Sequence, residues 1–193
     1  VVPHSAAQAA DFTVNSAGDA PDANLADGVC RTAGNVCTLR AAVQQAAQVP
    51  GSDIVRIPAM TITLTSVLNL NSALMIVGSG AGSTVVTGTG FAYLMQISGG
   101  PQDWRDFALA NASLTQGILT QSAGTSSELV RIRVENNTLY TGVGPIAAPV
   151  SVGSGQMTIA SSSITGNTVT SAMSGVYGGG VIVGGAGAKL DII

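Results

Sequence analysis

The sequence predicts an all-β solenoid with a small disulfide-clipped head. Three observations carry this: an aliphatic composition almost free of charge, a rhythm of short β segments parted by turn residues, and an internal repeat in the last third. Of 193 residues, 46% are hydrophobic, but only 9% are charged and 4% aromatic. An ordinary globular domain is about one-quarter charged. A core of Val, Ile, Leu, Ala and Met under a surface of Ser, Thr, Asn, Gln and Gly suits repetitive β architectures, which turn hydroxyls and amides outward.

The length fits one continuous domain, divided by pattern into residues 1–52, an N-terminal arm and capping segment, and 53–193, the coils. In the head, Phe12-Thr13-Val14 reads as a short strand and is followed by a loop rich in Gly, Asp, Pro and Asn. Cys30 and Cys37 flank a six-residue spacer containing Gly34-Asn35, a strong turn pair. A lone pair of cysteines in so uncharged a chain fits an oxidising compartment, so a disulfide is expected rather than two free thiols. One helix follows. Thr38 is its N-cap, Leu39, Ala42, Val43, Ala46 and Ala47 recur on one face, with Arg40 in the first turn, and Pro50-Gly51 ends it. Such a helix is expected to plug an exposed core.

From Asp53 the period changes. Ile54–Ile57, Thr61–Leu64, Val67–Leu70 and Leu74–Val77 are β segments bounded by Pro, Ser, Asn or Gly. Farther on, Leu129–Thr138 matches Ile159–Thr168, setting Val134 over Ile164, Asn137 over Asn167 and Thr138 over Thr168. Ile159 in turn matches Ile192, with Gly178–Val183 as a strand between. Repeats of this length with variable inserts mark coils that bury their inward residues against the next turn. Asn137 and Asn167 are expected to tolerate a left-handed corner and to pass hydrogen bonds along the stack as a ladder.

The segment Cys37-Thr38-Leu39-Arg40-Ala41-Ala42-Val43, together with Phe12–Ser16, Asp19–Asp22 and Asp53–Ala59, resembles the CSLREA-domain proteins. The likeness covers about Phe12 to Val86. It is looser beyond, where Ile164–Thr168 and Gly178–Val181 look like the family's coil repeats. Ala41 stands where the motif has Glu, and Met60 where Gly is usual. The resemblance implies a right-handed parallel β-helix of pectate-lyase-like architecture in an exported surface protein, and it implies no particular reaction.

The charge balance, seven Lys and Arg against ten Asp and Glu, provides no basic surface for a run of phosphates, so nucleic acid is not an expected partner. No apolar run is long enough to span a bilayer. Ala6–Ala10 resembles the small-residue region at a signal-peptidase site, and the chain reads as a secreted or surface protein after signal-peptide removal. His4 lies too far from the cysteines for a metal site. The Gly-rich stretches Gly78–Gly90 and Gly175–Gly187 lack a P-loop ending and read as corners. No catalytic residue, cofactor or metal is expected.

Some clusters merit weighing. Asp103, Trp104, Arg105 and Asp106 make a candidate ligand patch in which Trp104 stacks a sugar ring, against the plainer reading of a loop covering the flank. Arg131, Arg133 and Glu135 alternate with Ile132 and Val134, as a solvated ladder on one strand face. The loop Asp19–Gly28 has oxygens enough for calcium but not EF-hand spacing, and Asx-turns account for it. Asn111-Ala112-Ser113 and Asn136-Asn137-Thr138 are glycosylation sequons.

The expectation that follows is a non-catalytic structural protein. The head caps one end, whereas Gly187–Ile193 stops within a coil with no cap, so copies of the chain are expected to associate end to end or by strand addition. An adhesin or carbohydrate-binding module is the alternative, with a polysaccharide lyase or hydrolase behind it.

Overall fold

The computed structural model describes residues 9–141, 148–171 and 180–193. The arm Val1–Gln8, with His4, and Gly178 and Gly179 of the last β segment lie outside the described residues. In the head, β1 (Asp11–Thr13) precedes α1 (Leu39–Ala46). The first circuit of the solenoid holds β2 (Asp53–Arg56), β3 (Thr61–Leu64) and β4 (Leu68–Leu70). The second holds β5 (Leu74–Val77), β6 (Val85–Gly88) and β7 (Tyr93–Ile97). From the third on, each circuit has four strands: β8 (Gln102–Arg105), β9 (Ala108–Ala110), β10 (Ser113–Leu114) and β11 (Gly117–Gln121). Next come β12 (Ser126–Val130), β13 (Arg133–Glu135), β14 (Thr138–Thr141) and β15 (Ala148–Val152). They are followed by β16 (Gln156–Ala160), β17 (Ser163–Thr165), β18 (Thr168–Ser171), β19 (Val181–Val183) and finally β20 (Lys189–Ile192).

Corresponding strands of successive circuits stack in four parallel sheets, ordered β1-β2-β5-β8-β12-β16-β20, β3-β6-β9-β13-β17, β4-β7-β11-β15-β19 and β10-β14-β18. The chain is a parallel β-solenoid. Leu129 pairs with Ile159, which pairs with Ile192, and Val134 pairs with Ile164, as the repeat requires. Because strand side chains alternate in direction, a constant register turns each inward position into a column. One column runs Phe12, Val55, Ile76, Trp104, Leu129, Ile159, and all six are buried. A second runs Ile62, Val86, Leu109, Val134, Ile164.

The head closes the first circuit. Thr38 caps α1 by accepting from Ala41 N–H at 3.0 Å, and its hydroxyl donates to Ala20 C=O at 2.6 Å. Leu39, Ala42, Val43 and Ala46 are buried in the common core. Ala41 is also fully buried, so a carboxylate at that position would lose its water. Cys30 and Cys37 are joined by a disulfide across Cα atoms 5.2 Å apart.

Arg40 makes the main clasp. Its guanidinium donates to both Asp19 carboxylate oxygens at 2.9 Å, to Ser66 C=O at 2.8 Å and to Val67 C=O at 3.0 Å. Asp19 also accepts from Thr65 N–H and hydroxyl. The two side chains are 13% and 3% exposed, so loop, helix and first circuit share one desolvated, satisfied ion pair.

The asparagine ladder forms, with one change of role. Asn137 accepts from Ala112 N–H at 2.9 Å and donates to Leu109 C=O at 3.0 Å and Asn167 Oδ1 at 2.8 Å. Asn167 in turn donates to Val134 C=O. The left-handed conformation, however, belongs to the residue before each: Asn136 (φ 56) and Gly166 (φ 65), matching Asn111 (φ 56) one circuit earlier. The expectation that Asn137 and Asn167 themselves take that backbone is corrected. They point inward and serve only as amides.

Two outcomes follow for stability. Asn137→Ala orphans a buried N–H and a buried carbonyl at about 1–3 kcal/mol each, so urea unfolding is expected to show a loss of about 2–4 kcal/mol and a smaller loss for the less buried Asn167→Ala; equal losses would contradict the ladder. Arg40→Ala strands the Asp19 carboxylate and is expected to cost about 3–5 kcal/mol, with early proteolysis in 19–50. A head as protease-resistant as the parent's would refute the clasp.

Candidate functional site

The charged residues singled out in the sequence gather where the third and fourth circuits turn. Asp103 and Arg105 alternate with inward Gln102 and Trp104 along β8, and they face solvent as a bidentate pair with distances of 2.7 and 2.8 Å. Glu128, in register with Asp103 on β12, lies 3.9 Å from the same guanidinium. The chain turns at Asp106 (φ 63), at Arg131 (φ 54) one circuit on and at Ser161 (φ 50) after that. Stacking of these corners lets Arg131 grip Asp106 through bonds of 2.6 and 2.7 Å. A shallow cleft of about 370 Å³ beside them is lined by Ala81, Asp106, Arg131, Arg133, Ser161 and Ser163, with others.

Two expectations change here. Trp104 is fully buried within its column, 5.8 Å from the Phe107 ring, and its indole N–H donates to Gln102 Oε1 at 3.3 Å. The segment is a strand and not a covering loop, and Trp104 offers no face to a sugar. The flanking charges had obscured a plain in-out alternation. Secondly, Arg131 does not share a strand face with Arg133 and Glu135. It occupies the left-handed corner before β13, and only Arg133 and Glu135, 3.5 Å apart, keep the alternation.

The electrostatics are those of clasps. Hydrogen bonding from Arg131 holds the Asp106 carboxyl below the ordinary carboxylate range, against a smaller opposing effect of burial. The Asp106 and Asp103 hydrogen bonds raise Arg131 and Arg105 respectively. A general acid needs a carboxyl kept protonated near the working pH, and Asp106 is driven the opposite way. All six arginines are held by acids of the same chain.

The remaining candidates are explained by backbone geometry. In the loop over 19–28, Asp22 accepts from Asn24 N–H, Asn24 from Ala26 N–H and Asp27 from Val29 N–H, three successive Asx-turns. Asp22 also takes Arg31 N–H, so backbone donors occupy the oxygens offered for calcium. Among the described residues no group of three or more His, Cys, Asp or Glu is placed to hold a metal ion, and no helix is long and apolar enough to cross a membrane. Both sequons fall on the ladder corner: a left-handed Asn, an inward residue, then an outward Ser113 or Thr138. The third copy, Gly166-Asn167-Thr168, keeps the backbone with Gly and loses the sequon.

Sequence reading missed the buried amides. Gln121 occupies an inward position between Ile97 and Val152, donates to Thr125 and Ser154 carbonyls and accepts from the Ser127 hydroxyl. Gln102 likewise donates to Ser72 C=O at 2.7 Å. It also missed Asp53, fully buried beneath the head, which accepts from Ala10 N–H at 2.6 Å. Only the neighbouring turn residues hinted at carbonyls in need of donors.

The depressed Asp106 carboxyl has a testable sign. Its contribution to stability is present above the unfolded carboxylate value and lost as pH falls through the lower folded one. Carboxyl NMR titration is expected to place Asp106 below the usual carboxylate range and to move it upward in Arg131→Ala; an unmoved midpoint would refute the clasp. No family model, curated protein or solved structure matches this chain.

Proposed function

We propose that this chain is a non-catalytic structural domain of an exported protein, a rigid rod that associates with its own copies in an extracellular filament or surface layer. The supporting observation is the constant register of parallel strands along the stack, with the disulfide-clipped head closing its β1–β2 side. A parallel coil offers its neighbour the hydrogen-bonding edge and aliphatic columns it presents to its own next circuit, so a coil from another copy fits the same register. Internal pairing of the arginines leaves hydroxyls and amides as the main outward chemistry, suited to packing rods side by side. The disulfide and the head's resemblance to CSLREA-domain proteins favour an oxidising, extracellular address.

Size-exclusion chromatography and negative-stain electron microscopy across protein and salt concentration test the reading. Concentration-dependent rods or sheets are expected, persisting at high salt because the contacts are neutral. A monodisperse monomer under every condition would overturn it.

A further inference from the structure

Asp53 is a fully buried acid served by a single donor. It opens β2, and its side chain heads the inward column that continues through Leu74, Gln102, Ser127 and Met157. Its Oδ1 accepts from Ala10 N–H at 2.6 Å, while its Oδ2, equally shut off from solvent, has no partner among the described residues. Every arginine is engaged with another acid. Lys189, the remaining Lys or Arg, sits on β20 at the far edge of the same sheet. A buried carboxylate is costly unless it is paired and its lone pairs are met. The position therefore calls for a positively charged donor where Ala10 N–H lies.

The sequence can supply one. Ala10 is preceded by Ala7-Gln8-Ala9, which sets small residues at the two positions that an A-x-A leader-peptide cleavage site requires. Ser5-Ala6-Ala7 does the same, so the motif alone allows a cut before Gln8 or before Ala10. Asp53 separates the two. Only the cut before Ala10 creates an amino group at the nitrogen that already lies 2.6 Å from its carboxyl oxygen. Ala10 is held at its other end as well, its carbonyl accepting from Ile54 N–H at 2.8 Å. The new terminus thus has a fixed seat beside the β1–β2 pairing.

We propose that a leader peptidase cuts this chain between Ala9 and Ala10, and that the α-ammonium so formed folds onto Asp53 as a buried ion pair that locks the head. In the cut the Ala9–Ala10 amide bond is hydrolysed. Water gives its hydroxyl to the Ala9 carbonyl carbon and a hydrogen to the Ala10 nitrogen, and the proton released by the new Ala9 carboxyl is matched by the one the amine takes up. A peptide N–H donates once, whereas an ammonium donates three times and can serve both Asp53 oxygens. Its hydrogen bonds are charge-assisted and about twice as strong as neutral ones. Cleavage acts on the extended chain during export, and the pair forms as the head folds. This inference rests on the exported address proposed above and not on assembly.

Two experiments test it. The first reads the N-terminus of the protein recovered from its own cells, by Edman sequencing and intact mass, in the cellular and exported fractions separately. A start at Ala10 is expected outside the cell. An exported chain that starts at Gln8 or elsewhere overturns the site alone, whereas a chain kept inside the cell with its Ala9–Ala10 bond intact overturns the exported reading as well. The second compares thermal unfolding of the processed protein with that of the uncut chain. The processed form is expected to melt about 3–6 °C higher, the shift that a tenfold gain in folding constant gives a chain of this size, and Asp53→Asn is expected to erase the difference. Equal midpoints for the two forms, or an equal loss on Asp53→Asn in both, would overturn the ion pair. Should Asp53→Asn fail to fold, amine labelling of the processed parent decides. Its primary amines are Ala10 and the exposed Lys189. A free α-amine, with an ordinary pKa of about 8 against about 10.4 for lysine, labels first at pH 7. The seated Ala10 amine is expected to label after Lys189, and the reverse order would overturn the pairing.

Discussion

Everything in this molecule depends on inward side chains of successive circuits meeting in register. Phe12, Val55, Ile76, Trp104, Leu129 and Ile159 form one continuous column, and each member is buried only because a neighbour exists above or below it. No single circuit can bury its own core, so stability is shared between adjacent turns. A slip of one residue would turn a whole strand inside out. The corners must therefore fix register as strictly as the strands do.

Polar groups inside the coil do that fixing. The chain turns sharply between the strands of every circuit, and turns leave carbonyls and N–H groups facing the interior, where orphaned groups are costly. Asn137 and Asn167 answer one corner, and Gln121 and Gln102 answer others by reaching carbonyls of the preceding or following circuit. An amide suits this place because it donates and accepts at once without charge. Shifted by one residue, such a side chain would lose its partners.

These same residues explain what was legible in sequence. Leu129, Ile159 and Ile192 were readable as stacked because aliphatic identity and spacing recur together. Asn137 was readable as a ladder residue but confounded with its neighbour Asn136, since asparagine serves both as an amide donor and as a left-handed corner. Gly166 before Asn167 separates the roles, because only the corner position asks for positive φ. Trp104 was misread because Asp103 and Arg105 flank it, yet in a strand alternate neighbours face opposite ways. The clasp of Asp19 on Arg40 was invisible because a loop 21 residues away supplies the acid, and no local pattern marks that partner.

The distribution of charge then separates architecture from recognition. A chain with few charges could leave them free as ligand sites, but here the arginines hold corners, head and strand faces together. The exposed pairs contribute little each, while the desolvated Asp19–Arg40 pair joins three segments at once. With its arginines paired internally, the described surface presents mainly hydroxyls and amides. Such groups discriminate by shape and by paired hydrogen bonds and not by long-range attraction.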